Sequence, residues 1–80
     1  MTGRELSECL NYTGMERAVR QLALDDKLAP EKELAIMSEL EVCDLVAEKY
    51  VMLSARADEV WLVKKDELPT LAKSLKRIAR

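Results

Sequence analysis

The spacing of apolar residues changes along this chain, and the changes divide it into elements. Between residues 3 and 11, Leu6, Cys9 and Leu10 fall on one helical face. Thr2, with Glu5 three residues on, is the capping box that starts this first helix. Thr13-Gly14 breaks the pattern, since glycine makes a turn at least cost. From 14 to 25, Met15, Ala18, Val19, Leu22 and Ala23 repeat the spacing of three and four that predicts a second helix. Arg17 and Arg20 project away from its stripe, and Asp25-Asp26-Lys27 forms a polar exit loop.

Pro30 suits the first turn of a third helix, where a missing N–H costs nothing. Glu31 and Glu33 sit favourably at the positive end of that helix dipole. Ile36, Leu40, Cys43, Ala47 and Tyr50 then follow at spacings of 4, 3, 4 and 3, widened by Val42, Leu45 and Val46. Two readings stand side by side: one continuous helix to Lys49, or a helix that ends near Leu40 before a β-branched stretch. Residues 50–54 and 59–64 are short and rich in Val and Leu, with Tyr50 and Trp61 among them. The four residues Ala55-Arg56-Ala57-Asp58 between them predict an antiparallel hairpin. Both strands are apolar on both faces, so each face needs a cover, and a two-stranded ribbon is not stable alone. Asp66 is a good N-cap, with Glu67 and Pro69 in the turn that follows. Leu68, Leu71, Ala72, Leu75 and Ile78 complete the stripe of a C-terminal amphipathic helix.

The expected fold is therefore α+β: three N-terminal helices, a two-stranded antiparallel hairpin and a C-terminal amphipathic helix. Its 80 residues, without repeats or a dividing linker, make a single domain over 1–80. The apolar share is 49% with no Phe, so the core is aliphatic. At this size one core is barely sufficient, and self-association is a common support. That, with the two-sided hairpin, motivates a homodimer. The element order resembles that of a winged-helix module. Such a resemblance implies DNA binding through the third helix and the hairpin wing.

Charge argues against that implication. Residues 31–48 carry six acids and one Lys, a net of −5, and phosphates repel such a helix. Residues 64–80 carry six cations and two acids, a net of +4, while the whole chain is at −2. If DNA is bound, the terminal helix and Arg56 carry the contact by displacing counterions. Catalysis has little to work with. The chain has no His, and its two glycines, Gly3 and Gly14, cannot build a phosphate loop. Cys9 and Cys43 lie at apolar helical positions without a CxxC pair, so both are expected as small core thiols. No cofactor, metal or small-molecule substrate is expected. No run approaches membrane-spanning length and no secretory signal is present, so Asn11-Tyr12-Thr13 is a chance sequon in a protein expected to be cytoplasmic.

The expected function is a small non-enzymatic protein-interaction module, a regulator or an inhibitor. Inhibitors of host machinery or of defence systems from phages and mobile elements are commonly of this type. Two surfaces are candidates for partner binding. One is acidic: Glu39, Glu41, Asp44 and Glu48, standing in for a row of phosphates against a basic groove. The other is basic: Lys65, Lys73, Lys76, Arg77 and Arg80. Trp61 is the apolar candidate for an interface. Lys65 and Lys73 are also expected within reach of the third-helix acids, so some of this charge has counter-charges inside the fold.

Overall fold

The computed structural model describes residues 2–79. It is α+β, as expected, but its element order differs at two places. Helix α1 spans Gly3–Thr13. Its capping box forms as the sequence predicts: the Glu5 N–H donates to Thr2 Oγ1 at 3.1 Å, and the Thr2 N–H donates to Glu5 Oε2 at 3.4 Å. Gly14 ends the helix in the left-handed region, φ 74°, where a side chain is disfavoured. The buried Thr13 hydroxyl is satisfied by Cys9 O at 3.0 Å and Leu10 O at 3.3 Å. Helix α2 spans Glu16–Asp25 and buries Val19 and Ala23.

The third helix is two helices. Helix α3 covers Glu31–Ile36 and helix α4 covers Glu39–Lys49. Between them Met37 and Ser38 are extended, and Ser38 starts α4 with a capping box of its own to Glu41. The Ser-x-x-Glu pattern at 38–41 is legible in the sequence, but a reading by apolar stripe alone passes over it. The break turns Ile36 and Leu40 outward, at 85% and 48% exposure. Leu34, Val42, Cys43, Val46 and Ala47 do the burying instead.

The larger correction lies at the C-terminus, where no amphipathic helix forms. Strands β1 (Tyr50–Arg56) and β2 (Glu59–Lys64) make the predicted hairpin. A 3-10 segment, Lys65–Thr70, and a single helical turn, α5 (Leu71–Ser74), then lead into a third strand, β3 (Leu75–Ala79). The sheet is antiparallel throughout in the order β1-β2-β3, with Val60 opposite Ile78 and Val63 opposite Leu75. The physical reason is visible in β2. A strand apolar on both faces and flanked by one partner leaves a row of backbone donors and acceptors unpaired. Residues 75–79 supply the missing ladder, and β2 becomes the central strand. Spacings of three between Leu75 and Ile78 fit a helix in the sequence, but as a strand they place the two on opposite faces. Leu68 and Leu71, expected to be buried, are 50% and 43% exposed. Asp66 lies within the 3-10 segment and caps no helix. The winged-helix order goes with the terminal helix, and α3, at six residues, is too short to serve as a groove-reading helix.

The core lies between the helices and one face of the sheet. Leu6 and Leu10 of α1, Met15, Val19 of α2, Leu34, Val42 and Val46 meet Tyr50, Val60, Leu62 and Ile78. Helix α1 lies along α4 and approaches it closely at Gly3. A Cβ there would stand 2.5 Å from the Asp44 Cα and would overlap the Asp44 carboxylate. Among the described residues no helix is long and apolar enough to cross a membrane.

Candidate protein-docking surface

The charged residues singled out in the sequence are distributed around the fold rather than gathered on one face. Glu39 is engaged by Arg20, whose Nη2 lies 2.8 Å from Glu39 Oε1 and whose Nε lies 3.2 Å from the same oxygen. Arg20 also donates to Leu34 O, and to Met37 O at 2.7 Å. One guanidinium thereby holds α2 against the α3–α4 break and satisfies carbonyls that the ended helix leaves open. Glu41 is engaged in its own capping box. Asp44 and Glu48, one turn apart on α4, are exposed and share a shallow cleft with Lys65, Thr2 and Gly3. Among the described residues no ion pair links them to Lys65, and none reaches Lys73.

Two of the five candidate cations also find partners inside the fold. Lys76 Nζ lies 3.7 Å from Asp26 Oδ1. Arg77 Nη1 lies 3.9 Å from Glu59 Oε2, and Arg56 Nη1 lies 4.0 Å from Glu59 Oε1. Lys65 and Lys73 are exposed, and Arg80 lies outside the described residues. The polarity of the sequence is thus partly discharged by tertiary contacts that no spacing rule shows.

The face of the sheet that turns away from the helices presents a different surface. Strand alternation puts Val51, Trp61, Val63 and Leu75 on it, opposite to Tyr50, Val60, Leu62 and Ile78. Val63 is buried yet stands apart from the helical core cluster. Trp61, Val51 and Leu75 are half-buried. The ladder skips Leu53, since Met52 pairs with Leu62 and Ser54 with Trp61. This bulge leaves Leu53 54% exposed beside the Trp61 row. Across that row the Arg77 guanidinium stands over the Trp61 ring, 5.9 Å from its centroid. At the end of the sheet where Val63 and Leu75 pair, the connection from β2 to β3 exposes Leu68 and Leu71.

Val63 is buried on this face, where the β2–β3 connection packs against β2. Val51, Trp61 and Leu75 remain half-buried and Leu53 exposed, with Arg56, Glu59 and Arg77 paired at the hairpin end. Sequence reasoning identified Trp61 but not its setting. The sequence reading puts Leu68 and Leu71 in the buried stripe of a terminal helix, and they are exposed because that helix does not form.

The two cysteines are free thiols, Cys43 buried and Cys9 partly buried. Burial, with Glu39 and Asp44 adding to it and a Ser7 hydrogen bond opposing it, pushes the Cys43 thiol up to about 11. Burial also raises Cys9. Both remain protonated thiols at neutral pH, which is the unreactive form. Comparison with family models, curated proteins and solved structures returns no match to this chain.

Proposed function

We propose that this chain is a small non-enzymatic regulator or inhibitor that works by binding another protein through the outer face of its sheet. The observation that carries the reading is the partly exposed Trp61 under Arg77 on the outer face, with the exposed Leu53 on the adjoining strand and Leu68 and Leu71 exposed on the connection between β2 and β3. Trp and Arg dominate the energetics of protein interfaces because they bury large areas and tolerate desolvation. Exposed apolar area around an aromatic is the kind of surface that partners cover. Arg56 and Arg77 favour a partner with an acidic border around an apolar socket. The acidic surface of Asp44 and Glu48 is the second candidate, and it is narrower than the sequence implies because Glu39 and Glu41 are held by contacts within the fold.

Tagged chain expressed in its native cells, followed by mass-spectrometric identification and reconstitution with the purified partner, tests the reading. Leu68 and Leu71 are 50% and 43% exposed, so their replacement by Ser is checked for native circular dichroism. This variant, and Trp61→Ala checked for native circular dichroism, are expected to lose the partner. If Asp44→Lys with Glu48→Lys abolishes binding while the outer-face variants bind normally, docking is electrostatic through α4 and the proposal fails. Strong, salt-sensitive capture of duplex DNA in place of a protein would equally remove it.

A further inference from the structure

Strand β3 leaves one edge of the sheet open. Strand β2 pairs with its inner row of backbone groups, and among the described residues the outer row makes no backbone hydrogen bond. A row of unpaired N–H and C=O groups is a template for another strand. The opposite edge, β1, is a poorer template, because its bulge at Leu53 breaks the even spacing of the row. Strand β3 pairs with β2 residue for residue from Leu75 to Ala79, without a shift. Its Arg77 and Ala79 are exposed. Helix α2 runs beside it, and two clefts lie between them. One is lined by Ala18 and Leu22 with residues 77–79, the other by Gly14, Arg17 and Ala18 with Ala79. They share Ala18 and Ala79, so together they form one groove along the strand. The small residues Gly14, Ala18 and Ala79 let a second backbone come close.

What fits such an edge is an extended chain, and charge decides whose. In a two-fold pairing of β3 with a second copy, centred at 76 and 77, Lys76 and Arg77 of the two copies face one another. Like charges directly opposite destabilise a strand pair. Strand β3 has two cations and no acid. At the groove ends Glu16 offsets Arg17, and Gln21 Nε2 holds the Asp25 carboxylate at 2.8 Å. Lys76, opposite the buried Leu62, is turned to the helices and held by Asp26. Arg77 is 56% exposed with its contact to Glu59 at 3.9 Å, so it is the charge that an incoming strand meets. Alternation then sorts the side chains of that strand. A residue opposite Arg77 points to the outer face, and its neighbours point towards Ala18 and Leu22. We infer that an extended segment of a protein partner adds to the sheet along β3, with an acidic residue beside Arg77 and aliphatic residues in the groove against α2. At about 3.4 Å per residue, a segment of roughly five residues covers the edge. This rests on the reading of the chain as a protein-binding module, and it gives the partner a main-chain contact separate from the Trp61 face.

Random seven-residue peptides displayed on phage and selected against the whole chain test this. The selected sequences should alternate acidic with aliphatic or β-branched residues. Titration with a synthetic copy of one should move the amides of Ala18, Arg77 and Ala79 to saturation. N-methylation of alternate residues separates the two rows of the peptide backbone. Methylating the row that faces β3 should weaken binding at least about tenfold, the consequence of lost edge hydrogen bonds. Methylating the other row should leave affinity within about twofold. Exchanging the acidic residue for Lys should weaken the peptide about two- to fivefold, the range of a cross-strand charge pair. Ala18→Met fills the groove and should weaken the peptide about tenfold, with circular dichroism confirming the fold. If that variant does not fold, the methylated peptides carry the test alone. Strand addition is refuted if no peptide is enriched over an unrelated protein, if the selected sequences repeat at helical spacing, or if both methylated sets bind as well as their parent. A peptide that survives both methylations but is lost with Leu68→Ser and Leu71→Ser docks on the β2–β3 connection. That result refutes strand addition and leaves the proposed function standing.

Discussion

Arg20 offers a test that separates two kinds of interaction within one side chain. Its guanidinium makes an ion pair to Glu39 and hydrogen bonds to Leu34 O and Met37 O. The Glu39 side chain is 49% exposed, so the pair itself should contribute no more than about 1 kcal/mol. The two carbonyls belong to the interrupted end of α3, and a charged donor to a backbone acceptor contributes about 1.5–3 kcal/mol. Water reaches part of this site when the arginine is removed, because its side chain is already 26% exposed. The net loss for Arg20→Ala should then be about 2–3 kcal/mol, well below the sum of the separate bonds. For a chain of this size that corresponds to a fall in Tm of roughly 10–20 °C. Glu39→Gln should cost about 0.5 kcal/mol, and the coupling in a double-mutant cycle should match that small figure. Arg20→Lys should recover less than half of the loss, since an ammonium cannot span the fork between two carbonyls. Chemical and thermal denaturation of the four variants provides the measurement. If Glu39→Gln costs as much as Arg20→Ala, the ion pair carries the stability and the carbonyl argument is wrong.

Three further outcomes follow from the packing. Gly3→Ala should destabilise by about 1–3 kcal/mol, the usual cost of overpacking, because the new Cβ meets the Asp44 Cα as well as its carboxylate, and the backbone cannot swing aside as a side chain can. Helix propensity alone predicts the opposite sign, so a rise in Tm would refute the close approach of α1 to α4. Ser38→Ala should cost about 1 kcal/mol in urea unfolding, the usual loss for an N-cap, and an unchanged midpoint would mean that α3 and α4 do not depend on that cap. The Cys43 thiol is raised from 9.0 to about 11 in the fold, so the unfolded chain loses this proton first. Its contribution is fully present below about pH 9 and is lost as pH rises from 9 towards 11. A Cys43→Ala variant, measured by Tm against pH, should lack this part of the alkaline decline, and equal slopes for both chains would contradict it.

Much of the helical half was legible in the residues. The capping box at Thr2 and Glu5, the turn at Gly14 and the stripe of Met15, Val19 and Ala23 all depend on neighbours within a few positions. Such signals survive because the forces behind them act along the chain. The break at Ser38 was equally local and was overridden only by a longer apolar pattern that runs through it. Of the candidate surface, Trp61 was visible as an aromatic in a two-sided strand, but that two-sidedness was read as a hairpin needing cover on both faces, and the third strand beside β2 was missed.

What the residues by themselves determined is the class of the molecule: α+β, aliphatic in its core, helical first and extended later, without histidine chemistry. The tertiary structure decided the rest. Leu75 to Ala79 suit a helix or a strand, and the open edge of β2 chose the strand by offering a ladder of backbone partners. The same choice carried Lys76 to Asp26 and Arg77 to Trp61 and Glu59, pairs separated by 50, 16 and 18 positions. Long-range pairing is selected by which backbone groups and charges would otherwise be left unsatisfied, and that is a property of the assembled fold.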